Sequence, residues 1–210
     1  MAMVGRNLTI HSYRELAVSL NLDPRTTAFV IIDLQKGIVS RPLDPYDAKT
    51  VIANGVRLAN AVAAAGGLFV AVHVAFSKDD GDRLKQTIDS PMPLPPGGLP
   101  AEWSDFVPEI AALNAGVVIT KRNWSAFHGT ELDLQLRRRG IKTIVLGGIA
   151  TNFGVESTAR DGWQFGYDII IAEDACASSG GEGMHEFAVK RIFPRLSRVR
   201  STSEILTMSS

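Results

Sequence analysis

Ala28-Phe29-Val30-Ile31-Ile32-Asp33 is a short apolar run, rich in β-branched residues and closed by a carboxylate. It shows no polar alternation, so it reads as a strand buried on both faces, the pattern of a parallel sheet covered by helices. Leu68–Val74, Gly116–Thr120, Thr143–Gly147 and Tyr167–Ala172 repeat the pattern, and Leu196–Val199 reads as a short edge strand. Helical spacing fills the intervals. Val51, Ile52, Val56, Leu58, Ala59 and Val62 mark a helix over Asp47–Ala65, stopped by Gly66 and Gly67. Further helices are expected over Thr130–Arg139, Thr151–Phe165, Glu182–Phe193 and, at the end, Ser203–Met208. Strands alternating with helices predict one α/β domain with a parallel sheet covered on both faces.

The chain's 210 residues suit one domain with a sizeable core. The sequence divides into an N-terminal extension, 1–26, and a single domain, 27–210. Twenty-two basic residues balance 22 acidic ones, so no net field selects nucleic acid or an anionic membrane. No apolar run approaches the roughly 18 residues of a membrane span, and Met1–Arg14 lacks the apolar stretch of a secretory signal. The single cysteine, Cys176, excludes an intramolecular disulfide and a cysteine-based zinc cluster. A reducing cytoplasm is the simplest compartment. Ser77–Pro108 interrupts the alternation with an acidic, then Pro/Gly-rich excursion. It reads either as a functional loop or as a cover over a hydrophobic face.

In open parallel sheets ligands bind beyond the carboxyl ends of the strands. That rule selects Asp33, the region after Val74, Lys121, the Gly147–Gly154 segment and Glu173/Asp174. A desolvated Asp33 could hold or take a proton near neutrality, although an aspartate there could equally cap a helix. Lys121 could place positive charge beside a developing anion, or simply be solvated. Trp124 and Phe127 could wall a small-molecule pocket or belong to the core or an interface. Gly147-Gly148-Ile149-Ala150-Thr151-Asn152-Phe153-Gly154 leaves a strand through paired glycines and opens a helix, where backbone N–H groups can face an oxyanion. Its spacing matches neither a dinucleotide fingerprint nor a Walker loop.

Three ordered segments, Ile31-Ile32-Asp33-Leu34-Gln35, Thr120-Lys121 and Gly148 through Ala159, resemble the isochorismatase-like hydrolases from about Thr27 to near the C-terminus. The resemblance implies a three-layer α-β-α sandwich with a six-stranded, mostly parallel, Rossmann-like sheet. It also implies a cis peptide between Ile149 and Ala150. Asp33 and Lys121 become catalytic candidates, and Gly154 takes the place of the nucleophilic cysteine that amide hydrolases of the superfamily carry. Gln35, Trp124, Phe127, Ala150, Thr151 and Asn152 become substrate-binding candidates. Glycine cannot form an acyl-enzyme. Isochorismatases proper also have glycine there and are thought to use the aspartate as an acid on a vinyl ether. They differ from this chain in showing Trp-Arg-Tyr where it has Arg122-Asn123-Trp124, and Tyr-Ala-His where it has Ala150-Thr151-Asn152.

The expected function is therefore hydrolysis of a small molecule at a vinyl-ether or related C–O bond by an Asp/Lys pair. The alternatives are a weakly active amidase relative that lost its nucleophile, or a non-catalytic binder. No cofactor and no metal are expected; His73, His128, His11 and His185 read as structural or without context. The resemblance implies a homo-oligomer, dimer or tetramer, with Trp103 and Phe106 of the excursion as contact or lid residues. Gly154→Ala should be neutral or mildly stabilising if the backbone there is ordinary helix.

Overall fold

β1 (Thr27–Ile32) is buried at every residue because it runs through the middle of the sheet. The computed structural model describes residues 22–91 and 94–207. The other strands are β2 (Leu68–Val74), β3 (Val117–Lys121), β4 (Thr143–Ile149), β5 (Asp168–Ala177) and β6 (Arg198–Arg200). They lie in the order β3-β2-β1-β4-β5-β6, and every pairing is parallel. The helical segments are α1 (Lys36–Val39), α2 (Ala48–Ala64), α3 (Pro108–Ala111), α4 (Leu132–Arg138), α5 (Glu156–Gln164), α6 (Met184–Phe187) and α7 (Thr202–Thr207). Among the described residues no helix is long and apolar enough to cross a membrane.

The pleat of β1 sends its side chains into two separate cores. Val30 and Ile32 join Leu132 and Leu136 of α4, and Ala159 of α5, on one face. Phe29 and Ile31 join Val51, Leu58 and Val62 of α2, with Ile205 of α7, on the other. Leu22 also packs into this second core, so the folded unit reaches back into the segment expected to be an extension. Residues 1–21 of that segment, and Met208 of the expected terminal helix, lie outside the described residues. Fully burying side chains of this size contributes about 1.5–3 kcal/mol each, which is what holds a sheet with no polar face between two helical layers.

Several elements depart from the expected bounds. β5 continues to Ala177, because its register against β4 jumps from Leu146↔Ile171 to Gly148↔Cys176. The surplus residues bulge and re-aim Glu173 and Asp174. Tyr46 donates its hydroxyl hydrogen bond to Glu173, and Asp174 caps α7 by accepting from the N–H and hydroxyl of Thr202. These carboxylates are thus committed to packing α2 and α7 onto the sheet. The helix expected over Glu182–Phe193 is broken into α6, a π-turn over Ala188–Ile192 and a 3₁₀ turn over Phe193–Arg195. Gly183, with φ of 80°, starts it late, and Pro194 ends regular helix. The excursion after β2 returns onto the residues that follow Asp33. Lys36 N–H donates to Asp105 O (2.9 Å), Gly37 N–H to Trp103 O (3.0 Å) and Val107 N–H to Leu34 O (3.1 Å). At its end Val107 is buried in the core, as is Ile110 of α3 just beyond it, whereas the Pro/Gly-rich residues described before them are largely exposed.

Two features fix the exit of β4. Gly148 has φ of 117°, and a Cβ there would lie 2.1 Å from Ile32 O. Only glycine lets β4 approach β1 this closely. Beyond it, Thr151 and His185, both buried, meet at 2.8 Å between Oγ1 and Nδ1, with the Tyr46 ring T-shaped against the imidazole. This contact ties α6 to the turn that follows β4. Burial holds the His185 imidazole below its ordinary pKa, against a smaller opposing effect of Asp44.

Gly148→Ala combines a backbone clash with a disfavoured φ, so it should cost roughly 3 kcal/mol or more. Urea unfolding should show a large drop in midpoint or no folded protein, and a wild-type midpoint would disprove the close approach. His185 supplies a pH dependence of definite sign. Its folded pKa is lowered, so the unfolded chain binds the proton first, and stability falls as pH drops below about 6.5 towards the folded value. Melting curves from pH 8 to 5 should show this loss in wild type and a shallower one in His185→Asn; equal slopes would refute it.

Candidate active site

Asp33 follows β1 with φ of 53°, a left-handed conformation that aspartate tolerates better than most residues. Its N–H donates to Val72 O (2.9 Å), so the backbone turns while still held by β2. The turn leaves the carboxylate above the carboxyl end of the sheet. Lys121, the last residue of β3, is in register with Val74 of β2. β2 separates it from β1, and two strand spacings amount to about 10 Å. A long side chain is needed to cross that gap, and lysine crosses it. Nζ donates to Asp33 Oδ2 at 2.7 Å and to Asn123 O at 3.1 Å. The lysine side chain is 2% exposed and that of the aspartate 7%.

Burial pushes the Asp33 carboxyl above the usual carboxylate range, and the Lys121 ammonium opposes the rise. The two carboxyl oxygens differ. Oδ2 accepts from Lys121, whereas Oδ1 is buried and has no hydrogen-bond partner. Oδ1 is therefore the atom available for proton exchange with a ligand.

Gly154 stands opposite. A Cβ on it would lie 3.5 Å from Asp33 Oδ2, 3.5 Å from Trp124 O and 3.0 Å from Ile32 Cγ2. A side chain at this position would thus enter the immediate surroundings of the Asp33–Lys121 pair. Gly154 belongs to a π-turn, Thr151–Val155, that leads into α5. Thr158 holds it: its hydroxyl donates to Gly154 O (2.7 Å) and accepts from Ala126 N–H (2.9 Å), joining α5 to the loop after Lys121. The Ile149–Ala150 peptide is cis, as the resemblance implies, and Ala150 O accepts from the N–H groups of Phe153 and Val155.

The remaining candidates separate by contact. Trp124 is 61% exposed and its ring lies 4.9 Å from that of Phe153, so an aromatic pair flanks Gly154. Asn152 Oδ1 is buried and has no hydrogen-bond partner. Phe127 takes the core alternative: it is buried against Phe165 and Tyr167 and does not face the strand ends. Gln35 is fully buried and its amide is occupied. It donates to Val74 O and Trp103 O and accepts from Val74 N–H, which places it as a brace for the site's backbone and not as a ligand contact. The Thr151 hydroxyl is spent on His185. His73 lies between Ser104 O and the Thr120 hydroxyl, the structural role expected of it. Among the described residues no three His, Cys, Asp or Glu side chains stand together as a metal group. Phe153 escaped the reading of the sequence, although it could have been flagged as the aromatic next to Gly154.

Comparison with known proteins bears on the family and the fold. The Isochorismatase domain matches residues 27–204. The uncharacterized isochorismatase family protein YecD of Escherichia coli O157:H7 is 46% identical over 89% of this chain and 98% of its own. The ureidoacrylate amidohydrolase RutB of Pantoea ananatis is 32% identical over 83% of this chain and 78% of its own. An isochorismatase family protein from Burkholderia thailandensis has the same fold, with a TM-score of 0.85 and 41% identity over 90% of this chain and 98% of that one. On the family match, these relatives and the shared fold, the chain belongs to the isochorismatase family of hydrolases.

Proposed function

We propose that the chain hydrolyses a vinyl-ether or related C–O bond of a small molecule without a covalent intermediate. The observation that carries the reading is the buried Asp33–Lys121 pair, with Oδ1 of Asp33 unpartnered and a glycine in place of a side chain beside Oδ2. Burial makes the Asp33 carboxylate readier to take up a proton, against the opposing charge of Lys121. Asp33 passes that proton to the alkene carbon of a vinyl ether, leaving an oxocarbenium ion. A water molecule adds to the cationic carbon and returns a proton to the Asp33 carboxylate. The resulting hemiketal separates into a carbonyl compound and an alcohol. Lys121 holds Oδ2, orients the carboxyl and offsets its negative charge once the proton has left. The bare glycine keeps side-chain atoms away from the pair on that side, and Trp124 and Phe153 flank it. The first N–H groups of the helical segment after Ala150 can face a substrate oxygen.

Similarity to a ureidoacrylate amidohydrolase supports a second reading, water-driven cleavage of a C–N bond at the same pair. Here Asp33 takes a proton from the attacking water, and the helix start holds the carbonyl oxygen.

A panel of vinyl ethers and small amides separates the two readings, with carbonyl product followed for the first and ammonia for the second. Asp33→Asn should lower turnover about 10²–10⁴-fold, and Lys121→Met should lower it severely. Unchanged turnover in Asp33→Asn would exclude both mechanisms. Gly154→Ala tests the use of the space. The structure revises the expectation of a neutral change, because the new methyl meets Ile32 Cγ2 at 3.0 Å. Overpacking should outweigh the helical gain, with a net loss on the order of 1 kcal/mol. Turnover should fall at the same time; full activity in a folded Gly154→Ala protein would show that the space is not used.

A further inference from the structure

Among the described residues three buried side-chain polar atoms have no hydrogen-bond partner: Asp33 Oδ1, Asn152 Oδ1 and Ser178 Oγ. Their positions are not scattered. Asp33 follows β1, Asn152 lies three residues beyond the end of β4 with its cis peptide, and Ser178 follows β5. These strands are adjacent in the order β1-β4-β5, so the three residues stand along one carboxyl edge of the sheet. The register places Ser178 beside the Ile149–Ala150 peptide, because Ile149 pairs with Ala177.

Neighbouring polar groups do not absorb these atoms. Ser178 N–H donates to Asp44 O (2.8 Å) and Ser178 O accepts from Asp44 N–H (3.1 Å), so its backbone is engaged and its hydroxyl alone is free. Thr151 is taken by His185, and Gln35 by the backbone of Val74 and Trp103. A buried polar group without a partner destabilises a fold. Three at one strand-end edge, with none elsewhere among the described residues, mark a surface kept for a ligand.

We propose that Ser178 and Asn152, together with Asp33 Oδ1, form a polar reading edge that selects a small ligand carrying hydrogen-bonding groups at two or more positions. This rests on the active-site reading above and adds specificity residues to it. Asn152 Oδ1 asks for an N–H or O–H donor, and the Ser178 hydroxyl either donates or accepts. Two strand spacings set the reach of the row at about 10 Å. A simple ether or amide with one polar function leaves part of it unmatched, which is how such a site rejects the smaller molecule.

Two measurements on the full chain test this. The first is the thermal stability of Ser178→Ala against Ser125→Ala, a buried serine whose hydroxyl accepts from Phe127 N–H. Removing the unpartnered hydroxyl should raise the melting temperature by about 2–4 °C, whereas removing the partnered one should lower it by a similar amount. A fall in Ser178→Ala would mean that the hydroxyl serves the fold, through a bound water, and would overturn the proposal. The second compares glycolamide with acetamide, which differ by one hydroxyl, as binding probes followed by NMR titration. Wild type should bind glycolamide about fivefold more tightly, and Ser178→Ala or Asn152→Leu should reduce or abolish the difference. No preference in wild type, or a preference untouched by both variants, would overturn it. The catalytic reading fails separately: a Ser178-dependent preference with Asp33-independent turnover would leave the reading edge standing and remove the mechanism.

Discussion

The site depends on one ion pair, Lys121 to Asp33, formed across an intervening strand and nearly sealed from water. Removing two charges from water costs several kcal/mol per ion, and a single contact seldom recovers this in full. Lys121 comes close to being satisfied, with a second acceptor in Asn123 O. Asp33 does not, because one of its oxygens has no partner. For stability alone an apolar pair of similar volume would do as well or better. The asymmetry is intelligible if the unpartnered oxygen serves a ligand and the paired one sets its direction and charge.

Much of the surrounding structure holds that geometry in place. The central position of β1 brings the carboxylate between β2 and β4, and the left-handed turn at Asp33 lifts it over the sheet edge. Gln35, two residues on, secures the end of β2 and the returning excursion at once. Lys121 lies in register with Val74, so fixing β2 also fixes the base of the lysine. On the other side Gly148 lets β4 close against β1, while Thr158 joins the Gly154 turn to the loop after Lys121. These braces are hydrogen-bonded, whereas Oδ1 of Asp33 itself is not.

The frame was legible because it rests on local periodicity. Unalternating β-branched runs gave the strands, and helical spacing stopped by glycine gave α2. Asp33 and Lys121 were legible as strand-end charges, and Gly154 through the motif that contains it. What stayed hidden depends on contacts distant in sequence. Nothing near Phe127 says that it turns toward Phe165 and Tyr167, while Trp124, three residues earlier, stays exposed. The bulge in β5 arises from register against β4, so Glu173 and Asp174 looked like site carboxylates although they bind Tyr46 and Thr202. The Thr151–His185 contact spans 34 residues, which left the histidine without context. Ser178 is noticeable only when all other buried polar groups have been matched.

The one thiol of the sequence shows why the pair must carry the chemistry if the chain is a catalyst. Cys176 is fully buried on β5, paired in register with Gly148, and its side chain lies in the core below the strand ends. Burial pushes its pKa well above the usual thiol range, so it is held as the poorly nucleophilic thiol. At Gly154, where a side chain would reach the ion pair, no nucleophilic group exists. A thiolate-based covalent route would need a reactive cysteine, and Cys176 in the core is not placed to supply one. With no side chain at Gly154 and the one thiol in the core, the Asp33 carboxyl, with one unpartnered oxygen, is the group on which the proposed proton transfer rests.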